Sequence, residues 1–159
     1  MIIDILKNWI IFLSIIVAPC VYADSQLEPV DDLSRFGVES IEHKRVVIVM
    51  VTQPDCGFCE YVKSAHIEPM LRNGTLPNIA FVRELDLAGL SFTDFSGDSI
   101  SPGQFARRYD AEFSPSILFL SADGVQLHEP IIGVGNREFY GYYLDKAIEQ
   151  SAKLLNHGE

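Results

Sequence analysis

The sequence predicts an α/β domain, a mixed sheet of about four strands flanked by helices. Three observations carry that expectation. Residues 46–51 form a β-branched apolar run too short for a typical helix; a helical pattern follows, then a second apolar run at 79–85. Strand, helix, strand in that order implies a right-handed parallel βαβ unit. Two further apolar runs, 117–120 and 125–132, flank Ala122-Asp123-Gly124 and read as an antiparallel hairpin. After Gly133 and Gly135, Asn136 caps a closing helix with Tyr140, Leu144, Ala147, Ile148 and Leu155 at helical spacing.

The 159 residues make one domain's worth of chain, 48% hydrophobic and 21% charged. Formal net charge is -10, which argues against binding nucleic acid or an anionic membrane surface. Residues 1–23 stand apart. Lys7 precedes the uncharged stretch 8–23, its apolar centre is 9–18, and Val21-Tyr22-Ala23 offers a small-residue cleavage pattern. The run is shorter than the roughly 20 residues that cross a bilayer, and Pro19 breaks it. The expectation is a signal peptide of about residues 1–23, hence a protein that is periplasmic or otherwise exported, with no stable membrane insertion after cleavage. A retained anchor is the alternative. Cys20 lies in this segment, but Val17 and Pro19 are a poor context for lipid attachment. Cleavage after Ala23 leaves only Cys56 and Cys59.

Residues 24–45 then read as a leader and helix, with 24–29 polar and 30–43 helical, carrying Leu33, Phe36 and Ile41 inward. Gly37 weakens that helix. The main domain is 46–159. Its second helix presents Val62, Ala65, Met70 and Leu71 on one face, is interrupted at Pro69 and stops at Asn73-Gly74. Residues 88–100 read as an irregular insertion with two exposed phenylalanines, Phe92 and Phe95. Loops on a rigid scaffold carry specificity, so partner choice is expected there. Ser101-Pro102-Gly103-Gln104 is a helix start, with serine at the cap, proline in the first turn and glutamine three after the cap.

The chemistry concentrates at Cys56-Gly57-Phe58-Cys59. Gln53-Pro54 forces the chain to leave the first strand extended. The cysteines then sit at the first turn of a helix, where unpaired N–H groups and the positive end of the dipole favour a thiolate. The thiolate is the nucleophile of disulfide exchange. Two cysteines three apart can close a disulfide or stand open as a dithiol. Asp55 reads as a helix N-cap and Glu60 as a solvated first-turn acid.

Cys56-x-x-Cys59 after a strand, then Ser114-Pro115 opening a buried strand, then the hairpin and closing helix resemble the thioredoxin-like superfamily. The resemblance covers about residues 46–155. A proline at the start of a buried strand is a rare placement, and it stands in register with the cysteines. The resemblance implies a thioredoxin fold and a thiol:disulfide oxidoreductase. In it Cys56 attacks and Cys59 resolves; a cis Pro115 shapes the groove, with Gly57 and Phe58 beside it, and the Ser114 backbone pairs with bound peptide. It also implies no cofactor beyond the redox-active Cys56–Cys59 disulfide, protein thiols and disulfides as substrates, and an electron-donor partner. The Gly-aromatic dipeptide is closer to exported members.

Departures are informative. Cytosolic thioredoxins place a tryptophan before the first cysteine and a proline between the two, where this chain has Asp55 and Gly57. The buried aspartate expected six residues before the first cysteine is Met50 here, so Asp55 or Glu60 become the candidates for proton handling. Asp55 and Glu60 flank the pair with negative charge, and no Lys, Arg or His lies within three residues of Cys56. Like charge disfavours a thiolate, so the expected direction is reducing or isomerising. Two other classes compete. A metal (copper) binding or delivery protein would use Cys56, Cys59 and His66, although a structural zinc site wants four ligands. A non-catalytic binding module would present a groove through Phe58, Phe92 and Phe95.

Overall fold

A computed structural model describes residues 27–157. The signal-peptide assignment, Cys20 and the first leader residues lie outside them. In chain order the elements are α1 (Leu33–His43), β1 (Val46–Thr52), α2 (Gly57–Val62), a π turn (Lys63–Ile67) and α3 (Glu68–Arg72). A 3-10 turn (Leu76–Asn78) leads to β2 (Ala80–Asp86) and the short strands β3 (Phe92–Thr93) and β4 (Ser99–Ile100). Then come α4 (Pro102–Arg108), β5 (Ser116–Leu120), β6 (Gln126–Ile132) and α5 (Arg137–His157).

The main sheet has the order β2-β1-β5-β6. β1 pairs parallel with β2 and antiparallel with β5, and β5 pairs antiparallel with β6. This is the mixed four-strand sheet that the sequence predicts. Every residue of β1 is buried, because the strand is central and covered on both faces. Val46, Ile48 and Met50 face a layer holding Val62, Ile67, Tyr140, Leu144 and Ile148 of the helices from 57–72 and α5. Val47, Val49 and Val51 face Leu33, Phe36, Phe105 and Ala106 of α1 and α4. Full burial of each such side chain is worth about 1.5–3 kcal/mol, which makes β1 the axis of the core.

Four local expectations are corrected. In α1, Leu33 and Phe36 are buried but Ile41 is 71% exposed. Gly37 in that helix lies against the carbonyl of Ala122, with no room for a Cβ. The helix closes that approach only because it carries glycine there. In the second helix Ala65 is exposed and Ile67 is buried instead. Pro69 has no N–H to give the carbonyl of Ala65, and the helix widens just before it. Glu68 donates back to the Lys63 carbonyl, five residues away. The added residue in this turn carries the inward position past Ala65 to Ile67.

The insertion 88–100 is a hairpin, with Phe92 opposite Ile100 and Thr93 opposite Ser99. Phe92 is only 5% exposed, stacked edge-on against Phe105 at 5.3 Å, and Phe95 is half-buried. The hairpin is tied down by Asp94. Its Oδ1 accepts from the Ser96 N–H (2.9 Å), the Ser96 hydroxyl (2.6 Å) and the Asp98 N–H (3.2 Å). Its Oδ2 takes the Arg108 guanidinium at 3.0 Å. Burial pushes the Asp94 carboxyl up, but these bonds outweigh it and hold its pKa below the ordinary value. Finally, residues 27–32 are more than a polar leader. Leu27 is buried in the core. Pro29 bridges Glu84 along the free edge of β2, where Glu84 donates to the Glu28 carbonyl and accepts from the Val30 N–H, both at 2.8 Å.

Candidate functional site

The site is built where the C-terminal end of β1 meets the start of α2. Thr52 ends the strand, and Asp55 takes a left-handed conformation (φ 57°) that turns the chain into the helix. Asp55 is therefore not the N-cap. Cys56 fills that role itself, its Sγ accepting from the Cys59 N–H at 3.1 Å. One orphan N–H of the helix, that of Cys59, thus reaches the first cysteine sulfur. Cys56 and Cys59 are joined by a disulfide with Cα atoms 5.2 Å apart. Cys56 is half-buried and Cys59 is 1% exposed, so an incoming thiol or disulfide meets Cys56 first.

The Ser114–Pro115 peptide is cis. Pro115 is buried, and the Ser114 hydroxyl lies 3.6 Å from Cys56 Sγ. Strand β5 thus carries its opening turn to the cysteines, although 58 residues separate Cys56 from Ser114. Gly57 is exposed, and Phe58 is 49% exposed. Phe113, just before Ser114, is 74% exposed. The guanidinium of Arg137 lies over the rings of Phe58 (5.2 Å) and Tyr61 (4.9 Å). Phe92 and Phe95 belong to the hairpin core, so of the three aromatics weighed for a binding surface only Phe58 is at the cysteines.

Beside the pair opens a groove of about 550 Å³, lined by Thr52, Asp55, Cys56, Cys59, Glu60, Lys63, Glu84 and Asp86 among others. Glu60 is exposed and reaches Lys63 Nζ at 2.8 Å. Lys63 also bonds Glu84 Oε1 at 3.1 Å, and the Thr52 hydroxyl donates to the same oxygen at 2.8 Å. Burial pulls the Lys63 ammonium down, but its bonds to Glu60 and Glu84 prevail and raise its pKa above the ordinary value. The sequence singled out Asp55 and Glu60 because they adjoin the cysteines. It missed Glu84 and Lys63. The signal was periodicity: Met50 pairs with Glu84 across β1 and β2, so a carboxylate in the second strand stands on the same face as Met50.

His66 is not among the groove's lining residues. Its Nε2 lies 3.3 Å from the Tyr61 hydroxyl, its ring packs on Tyr140, and burial, partly offset by Asp145, lowers its pKa. Among the described residues no group of three or more His, Cys, Asp or Glu is placed to hold a metal ion. None of their helices is long and apolar enough to cross a membrane.

At the level of sequence, no family model matches the chain and no curated protein does. Solved structures do. Thioredoxin from Fasciola hepatica is 15% identical, with a TM-score of 0.50, covering 79% of this chain and 99% of its own. Thioredoxin from Trichomonas vaginalis is 13% identical at a TM-score of 0.50, covering 80% and 97%. This is a thioredoxin fold. A structure of the periplasmic thioredoxin SoxS from Paracoccus pantotrophus also matches, 18% identical at a TM-score of 0.43, over 67% of this chain and 99% of that one. The thioredoxin fold explains why the cysteine turn and the cis proline meet: both stand at one end of the two central strands, β1 and β5.

Proposed function

We propose that this protein is an exported, periplasmic thiol:disulfide oxidoreductase that exchanges disulfides with protein substrates in the reducing or isomerising direction. The observation that carries the reading is the half-buried Cys56 at a helix start, disulfide-bonded to buried Cys59 and faced by Ser114 of the cis Ser114–Pro115 turn. In the reduced protein the Cys56 thiolate attacks one sulfur of a substrate disulfide, and the first substrate thiolate leaves. Cys59 then loses its proton and attacks Cys56 Sγ, which closes the Cys56–Cys59 disulfide and releases the second substrate thiolate. A donor dithiol resets the pair by the reverse exchange. Exposed Phe58 and Phe113 supply apolar contact for the substrate chain. The acidic groove residues support the reducing direction, since negative charge beside Cys56 disfavours its thiolate and so favours the oxidised protein.

Equilibration in glutathione redox buffers, with the pair followed by mass shift, tests this. A single two-electron transition at about -270 to -200 mV is expected, whereas one near about -120 mV would make the protein an oxidant. A pair that never equilibrates with glutathione would overturn the reading.

A further inference from the structure

For Cys59 to attack, its thiol must first surrender a proton, because only the thiolate is nucleophilic. Cys59 is 1% exposed and packs in the same apolar layer as Met50 and Val62. Bulk water is therefore poorly placed to take that proton. The polar exit from the site is the groove that Cys59 shares with Thr52, Lys63 and Glu84. Glu84 stands on the same face of the sheet as Met50, one strand over, with its side chain 21% exposed. Its backbone is clamped by Glu28 and Val30 on the outer edge, and its side chain by Thr52 and Lys63 within. Both side-chain bonds from the described residues fall on Oε1, and neither engages Oε2.

We propose that Glu84, held by Thr52 and Lys63, accepts the Cys59 proton in the resolving step. This rests on the exchange reaction above and assigns it a residue. The Cys59 thiol proton passes to the Glu84 carboxylate, directly or across one water of the groove. The Cys59 sulfur forms its bond to Cys56 Sγ as the Cys56–substrate sulfur bond breaks, and the electron pair leaves with the substrate thiolate. In the reverse direction the protonated Glu84 returns its proton to the departing Cys59. The charged groups facing Glu84 are few. Lys63 contacts it from the helix after α2, Glu60 lies beyond Lys63, and Asp55 and Asp86 stand further along the groove. On the leader, the Glu28 carboxylate is engaged by Arg83 at 3.0 Å. Exposed Glu60 and Asp55 already face solvent, whereas Glu84 is largely buried and lines the same groove as Cys59.

The test uses the reduced protein and a stoichiometric amount of the chromogenic disulfide of thionitrobenzoate. The first coloured thiolate reports attack by Cys56, and the second reports resolution by Cys59. In E84Q the first release should stay within about twofold of wild type, while the second slows at least about tenfold near pH 7. That second rate should climb about tenfold per pH unit toward the wild-type value, as expected when hydroxide replaces the lost base. Glu84→Asp should restore part of it. Lys63→Met leaves β2 untouched and should slow the second release in the same direction, so a folding fault in one variant does not shelter the proposal. A second release at the wild-type rate in E84Q across the pH range overturns it, as does equal slowing of both releases. Wild-type protein that gives no second release overturns the exchange reaction itself, and the proposal with it.

Discussion

Two carboxylate–cation pairs in this molecule have nearly the same length and opposite uses. Asp94 of the hairpin lies 3.0 Å from Arg108 of α4, and Glu84 lies 3.1 Å from Lys63 beside the cysteines. Asp94 is saturated: both of its oxygens are engaged, by two backbone N–H groups, a hydroxyl and a guanidinium, and its side chain is 2% exposed. Glu84 is 21% exposed and concentrates its bonds on one oxygen. The acid engaged on both oxygens fixes a loop, and protonating it weakens the contacts that hold that loop. Glu84 takes both of its side-chain bonds on Oε1, so Oε2 carries none of the bonds that hold it. Distance alone would class the pairs together; whether one oxygen or both are engaged separates them.

The sharpest way to break this comparison is Asp94→Asn. It should cost about 2–3 kcal/mol in urea unfolding, at the low end for severing a buried pair because Arg108 is half exposed, yet leave thionitrobenzoate release unchanged in the folded protein. Loss of exchange with retained stability would invert the assignment. The cost should also depend on pH. The folded pKa of Asp94 lies below its ordinary value, so its contribution is complete above about pH 4 and fades as pH falls through the folded pKa. Urea midpoints of wild type and variant should converge in acid. Thr52→Val comes next, with a loss of about 1 kcal/mol for one hydrogen bond and a second thiolate release slowed a few-fold while the first holds. Ser96→Ala should be mildest, about 0.5 kcal/mol, because the Asp98 N–H and Arg108 still serve Asp94. Equal losses in the last two variants would mean that saturation does not distinguish the pairs.

The parts of the fold legible in the sequence are those whose cause is local. The β-branched run of β1, the Ser101–Gln104 capping box and the Asp123-Gly124 turn each rest on a few adjacent residues, and the structure forms them where expected. Cys56, Cys59 and Pro115 were legible because two rare placements stood in register. Illegible features depend on residues distant in sequence. Glu84 lies 21 residues from Lys63 and reads as an ordinary charged strand residue until the register places it opposite Met50. Phe92 reads as exposed among Gly, Ser and Asp, but Asp94 folds those polar neighbours into a turn and sends the ring onto Phe105. Ala65 loses its inward place to Ile67 through one widened turn, an effect that no fixed 3.6-residue period anticipates.

Glu28 and Val30 have a consequence for how this molecule meets its neighbours. A sheet with an uncovered rim invites foreign backbone to add itself as another strand, the first step toward fibrils. Here the rim of β2 is already taken by the segment around Pro29, and a newcomer finds the N–H and carbonyl of Glu84 spent. The opposite rim, β6, carries Pro130 in its midst, which offers no N–H to a visitor. Trimming the chain to Asp31 would strip the β2 rim. The shortened protein should self-associate at concentrations where the full chain stays dispersed, with the strand that holds Glu84 as the new point of contact.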